Sequence, residues 1–189
     1  DRLISDISDA SRLDAELSRA DFAAVDLAAM AATVRDVYGV AGLDHDQQVV
    51  CAAEEPEAAW VRGDENRLVQ VLRNLINNAI SFSPVGGVIT LTLMADPDQI
   101  TLAVEDAGPG IPAGKLDNVF ERFYSERPAG EKFGTHSGLG LSISKQIIEA
   151  HGGRIWAENR VDAEGRVTGA RFVFRLPRAA PGEARQNDG

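Results

Sequence analysis

The sequence carries one cysteine, Cys51, in 189 residues. A single thiol excludes an intramolecular disulfide framework and fits a reducing compartment, and it reads first as a small buried apolar residue. Runs of lysine or arginine are also missing: 19 basic residues stand against 29 acidic ones, a formal net charge of −10. That balance disfavours a nucleic-acid platform. An anionic ligand would have to be held against the overall field by backbone N–H groups, an arginine or a bound cation. No apolar stretch approaches the roughly 20 residues needed to cross a bilayer, and there is no signal peptide, so the chain as given is expected to be soluble. It begins at Asp1 inside a helical pattern, which reads as a piece of something longer, with room for a membrane segment upstream. No internal repeat is visible.

What is present suffices for one sizeable core with an appendage. The opening "DRLISDISDASRLDAEL" sets Leu3, Ile7, Ala10, Leu13 and Leu17 at steps of three and four, a narrow seam suited to a partner helix. An ordinary amphipathic helix folded back on its own domain is the rival reading. Asp26 can cap a second helix with Leu27, Met30, Val34 and Val37 on one side, ended by Gly39 and Gly42. Short strands are expected at 47–53 and 58–63. The long helix "DENRLVQVLRNLINNAISF" starts at Asp64 and stops before Pro84. "VITLTLMA" and "QITLAVED" alternate in period two around "DPD", a hairpin signal. After a glycine-punctuated stretch come a helix over 139–150 and strands over 154–161 and 170–176. The tail from 178 to 189 lacks apolar content and reads as disordered. The pattern predicts a mixed sheet of about five strands covered on one face by three helices, a two-layer α/β sandwich.

Three stretches carry chemistry. In "NLINNA" the spacing i, i+4 puts Asn74 and Asn78 on one helix face beside the apolar stripe Leu72, Leu75, Ile76 and Ala79, so both amides can reach one ligand. Asn77 reads as a surface residue. In "DAGPGI", directly after a strand, Gly108 and Gly110 permit close backbone approach to a flat or charged group, and Asp106 offers a carboxylate to an exocyclic amine. "GPGIPA" also imitates a dinucleotide-binding fingerprint, but Pro109 and Pro112 remove N–H groups and no helix opens at Gly110. In "SGLGLSISKQIIEAHGG" the glycines Gly138 and Gly140 sit just ahead of a helix, where free N–H groups and the positive end of the dipole make a phosphate seat. Lys145 has no P-loop partner and reads as a solvated charge, and His151 before Gly152 and Gly153 as a structural helix end.

The order "NLINNA", "DAGPGI", "FERF" and "SGLGL" resembles the N, G1, F and G2 boxes of the catalytic and ATP-binding domain of sensor histidine kinases, in the superfamily shared with gyrase, Hsp90 and MutL. The resemblance covers about residues 22–176. The first helix resembles the second helix of a dimerisation hairpin, and with "NNAISFSP" is similar to the ChvG class of alphaproteobacterial envelope sensors.

The resemblance implies a Bergerat-type fold binding Mg-ATP, with residues 1–20 from a dimerisation helix and 21–177 as the catalytic domain. Asn78 would hold Mg²⁺ through its amide oxygen. Asn74 stands where the ATPase branch has a glutamate that activates water, and an amide is no general base, so transfer to a protein nucleophile is preferred over hydrolysis. Asp106 would accept from the adenine amino group, Phe82 would lie on or near the base, and Gly108, Gly110 and Ile111 would frame it. Ser137, Gly138, Leu139, Gly140 and Leu141 would close on the phosphates. Phe120 and Phe123 would anchor a lid, with Arg122 the cation nearest the γ-phosphate. Implied partners are a second copy, through the first helix, and a response regulator. The domain would be cytoplasmic, in a protein of the inner membrane.

Two departures stand out. Ser81 stands where the family usually has a lysine, three residues after the magnesium asparagine, so Arg122, Lys132 or His136 must substitute or affinity drops. Thr135 and His136 replace a glycine pair before the second glycine box, which stiffens the hinge. No phosphoacceptor is visible: His45, His136 and His151 all lack the "H-E/D" context. The rivals are a gyrase-type ATPase, disfavoured by Asn74, and a non-catalytic nucleotide-sensing scaffold.

Overall fold

The computed structural model describes residues 22–41, 46–52, 59–122, 124 and 138–180. The expected first helix, His45, Phe123, Lys132, Thr135, His136, Ser137 and residues 181–189 lie outside the described residues. In chain order the elements are β1 (Ala23–Asp26), α1 (Leu27–Ala41), β2 (Gln48–Cys51), β3 (Trp60–Gly63), α2 (Glu65–Phe82), β4 (Val88–Ala95), β5 (Gln99–Glu105), a 3₁₀ turn (Asn118–Phe120), α3 (Gly140–Ala150), β6 (Arg154–Val161) and β7 (Val167–Pro177).

α2 forms because local signals agree. Asp64 caps it, its carboxylate accepting from the Arg67 N–H at 3.2 Å, and the stripe Leu68, Val71, Leu72, Leu75, Ile76 and Ala79 is buried. At the other end the buried Gln47 donates Nε2 to the carbonyls of Ile80 and Ser83 at 3.0 and 2.8 Å, satisfying groups the helix leaves open. The main sheet runs β2-β4-β5-β7-β6, with β2 parallel to β4 and the other pairs antiparallel. α1, α2 and α3 supply Met30, Leu72, Ile76, Ile147 and Ile148 to a core shared with Ile89, Leu102, Val104, Phe172 and Phe174 of the sheet. This is the expected two-layer α/β sandwich.

Several expectations are corrected. The strand expected at 58–63 is β3, and it pairs not with the main sheet but antiparallel with β1, a strand that four residues were too few to reveal. α1 runs through Gly39 to Ala41, since nothing lies within 4 Å of a Cβ there and no contact compels a stop. Of the residues expected on one side of it, Leu27, Met30 and Val34 are buried and Val37 is 63% exposed. Asn77 is no free surface residue: its Oδ1 accepts from the Tyr38 hydroxyl at 2.7 Å, tying α1 to α2. Backbone bonds continue past the expected end at Pro177, the Ala179 N–H reaching the Trp60 carbonyl at 2.8 Å.

His151 is structural, as expected, and ties three segments. Its Nδ1 donates to the Ile147 carbonyl at 2.7 Å, which leaves Nε2 to accept the Asp64 N–H at 3.0 Å, and its ring stacks on Phe22 at 4.4 Å. Both nitrogens are thus used in the neutral form, and burial, outweighing the Ile147 carbonyl and the Asp64 charge, lowers its pKa below the ordinary 6.5. On acidification the unfolded ring protonates first, so stability is full above about pH 6.5 and falls as pH drops through the lower folded value. Urea unfolding at pH 7.5 and 5.5 should show this loss, and His151→Gln should flatten it; equal slopes in both proteins would contradict the assignment.

Candidate functional site

Three backbone segments converge beside the C-terminal half of α2. The first is α2 itself. Asn74 and Asn78 are both half-buried on it, one turn apart. Asn74 Nδ2 donates to the Gly140 carbonyl at 3.2 Å and to Ser144 Oγ at 3.3 Å, docking the first turn of α3 onto α2. The Asn78 amide makes no hydrogen bond among the described residues.

The second segment is the loop leaving β5. Asp106 is 2% exposed, and its Oδ1 accepts two backbone N–H groups, from Gly108 and Ala170, both at 2.9 Å. Among the described residues no such donor reaches Oδ2, so there one carboxylate oxygen is committed to the fold and the other is not. Burial raises the Asp106 pKa above its ordinary 3.8, opposed by the Ala170 and Gly108 N–H groups and by the charge of Arg160. Gly108 is required by packing: a Cβ there would stand 2.6 Å from the Phe82 carbonyl oxygen, so the loop lies against the end of α2. Gly110 has φ +79°, and its Cβ would collide with Val167. Ile111 is half-buried against the core, and Phe82 is half-buried at the end of α2.

The third segment is the start of α3. Gly138 has φ +72°, Leu139 is 1% exposed, and α3 begins at Gly140, within van der Waals reach of Asn74. Leu141 packs on the core. The first turn of an 11-residue helix therefore sits against the Asn74 amide of α2. Phe120 is 8% exposed and meets Phe172 edge-on at 6.2 Å, so it belongs to the core. Arg122 is exposed.

Sequence reasoning missed three residues here. Asn159 grips the Ile111 backbone twice, Oδ1 accepting its N–H at 2.7 Å and Nδ2 donating to its carbonyl at 2.8 Å. Arg160 Nη1 donates to the Asp106 carbonyl at 2.8 Å. A Cβ on Gly169 would collide with that same carbonyl. Asn159 is 48 residues from Ile111 and Arg160 is 54 from Asp106, so no local signal pointed to these partners.

Residues 63–180 match the family described as histidine kinase-, DNA gyrase B-, and HSP90-like ATPase. The chain belongs to that family. Within it, the chain is a sensor histidine kinase catalytic domain. The sensor protein ChvG of Rhizobium meliloti (strain 1021) is 50% identical over 94% of this chain and 32% of its own length. The chain thus spans about a third of the curated relative it matches. Full-length ShkA in complex with AMPPNP superposes with a TM-score of 0.76 at 26% identity, over 95% of this chain and 36% of that one. The histidine kinase ThkA in complex with the response regulator TrrA superposes at 0.70 with 26% identity, over 93% and 48%. Among the described residues of this kinase domain no helix is long and apolar enough to cross a membrane.

Two glycines separate packing from propensity. Gly108→Ala should lose about 1–3 kcal/mol by overpacking against the Phe82 carbonyl, while Gly39→Ala, inside α1 with open space, should gain up to about 1 kcal/mol. Denaturant unfolding of the two variants checks the order.

Proposed function

We propose that this chain binds Mg-ATP and supplies its γ-phosphoryl to a histidine on a dimerisation hairpin, of which residues 1–20 are the end and 21–177 the catalytic domain. The observation that carries the reading is the division of labour at Asp106. One buried oxygen is locked by two backbone donors, and the other is left to an exocyclic amine. The complexes of ShkA with AMPPNP and of ThkA with TrrA support a nucleotide and a response regulator as partners of this chain also. A second copy would pair through the first helix, and the whole protein would sit in the inner membrane.

The residues fit the ligand. Among the described residues no three His, Cys, Asp or Glu side chains cluster as a metal cage. A hard divalent cation would therefore be held by the unpaired Asn78 amide oxygen together with phosphate oxygens and water. Bound Mg²⁺ neutralises phosphate charge. Gly138, Leu139 and Gly140 present the helix start to the phosphates, offsetting a net charge of −10 that opposes an anion. Phe82, Gly108, Gly110 and Ile111 frame the base, and Phe120 anchors the start of the stretch that carries Arg122. Asn74, neutral and already donating to Gly140 and Ser144, takes no proton from water. Transfer breaks the bond from the γ-phosphorus to the ADP oxygen and forms one to a histidine ring nitrogen, with the protein contributing position and charge. His151, buried with both nitrogens bonded, is not that histidine.

Calorimetry with AMPPNP tests both ends of the ligand. Asn78→Ala should abolish the gain in affinity that Mg²⁺ gives, and full retention of that gain sinks the metal assignment. Asp106→Asn must place its oxygen where Gly108 and Ala170 donate, which turns its NH₂ toward the base. ATP should weaken by roughly 10- to 100-fold, the loss of a charge-assisted bond, while inosine triphosphate, with an acceptor at that position, should lose less. Because burial makes the ionised side chain unfavourable to the fold at neutral pH, the unfolding midpoint of this variant should not fall in parallel. An unchanged ATP preference overturns the assignment of Asp106.

A further inference from the structure

We infer that Asn159 and Arg160, consecutive residues near the end of β6, are positioning residues for the adenine base, gripping the 106–111 loop from opposite sides of the sheet. The sheet order makes such a grip necessary. β7 lies between β5 and β6, so the loop that leaves β5 must cross β7 before it can touch β6. It crosses at Gly169, where the Asp106 carbonyl occupies the space a Cβ would need, and Gly169 pairs in register with Arg160.

Successive strand residues leave on opposite faces. Asn159 shares the face of Ile155 and Ala157, which are buried under the helices. Arg160 shares the face of Glu158 and reaches toward Glu105 at 4.0 Å. From the helix side the Asn159 amide matches the Ile111 peptide with two bonds, and from the other side Arg160 holds the Asp106 carbonyl. The register of β6 against β7 shifts between Arg160 and Val161, so the ladder becomes irregular beside the crossing.

Besides this grip the segment is held by the Gly108 N–H on Asp106 Oδ1, the Ala107 N–H on Ser83 Oγ at 3.4 Å and the packing of Gly108 on Phe82. It contains two glycines and a proline between Asp106 and Ile111, and it forms no helix or strand. Fixing one backbone residue costs about 1–2 kcal/mol of conformational entropy. A grip at both ends of the segment settles that cost at folding, before any nucleotide arrives. The binding effect should therefore reside in the base and not in the metal or phosphates. This inference rests on the proposal that Asp106 receives the base.

The test is calorimetric titration of the full chain with AMPPNP, with and without Mg²⁺, for the unaltered protein, Asn159→Ala, Asn159→Asp and Arg160→Gln, alongside urea unfolding of each. Asn159→Ala should weaken AMPPNP about tenfold or more in both conditions, leaving the ratio between them unchanged. Asn159→Asp keeps the acceptor for the Ile111 N–H but opposes its carbonyl, so it should weaken binding even if the alanine variant does not fold. Arg160→Gln should act in the same direction. Variants that unfold at lower urea yet bind AMPPNP as tightly as the unaltered chain show a role in stability alone and overturn the inference. So does a loss confined to the Mg²⁺-dependent part. No binding by the unaltered chain would instead overturn the proposed function.

Discussion

The site depends on one buried carboxylate. Asp106 stands at the end of a central strand, where a charge is costly unless it is hydrogen-bonded, and two backbone N–H groups from different segments meet that cost at a single oxygen. One of those donors is in its own loop and the other is in β7, so the carboxylate also fixes where the loop leaves the sheet. The raised pKa shows that compensation is incomplete. At neutral pH the ionised form is thus held less favourably in the folded chain than in the unfolded one, which makes Asp106 a candidate for a ligand-binding role.

Around that point the molecule is arranged as two docked helices and a clamped loop. α2 presents the Asn74 amide to the start of α3, which holds the two helices in register through Gly140 and Ser144. At their far ends the same helices are joined again, through His151 between Ile147 and the Asp64 N–H. The pair is therefore fixed at both ends, and the start of α3 cannot shift along α2 without breaking these hydrogen bonds. The clamp on the loop does the same for the 106–111 backbone. Precise placement is what phosphoryl transfer asks of a protein that contributes little covalent chemistry.

Much of this was legible in the sequence where signals are local. The cap at Asp64, the stripe of α2, the hairpin around Asp96–Asp98 and the glycines before α3 each follow from neighbours a few residues apart. Strand 154–161 fell where its alternation put it. The rest is set by residues distant in the chain. β1 pairs with β3 across more than thirty residues, Gln47 serves carbonyls of α2, and Tyr38 claims Asn77. Asn159 looked like an ordinary strand residue because its meaning lies in the Ile111 peptide. Gly169 could be read only once the crossing of β7 was seen. Phe120, expected to anchor a lid, packs into the core, where Phe172 offers it an edge-on partner.

The most direct measurement is a crystal structure of this chain with AMPPNP and Mg²⁺. The account places the adenine amino group within hydrogen-bond distance of Asp106 Oδ2, the phosphates at the start of α3, and the metal on the Asn78 amide oxygen. A base turned away from Asp106, or a nucleotide lodged outside the space between α2, α3 and the 106–111 loop, would contradict it.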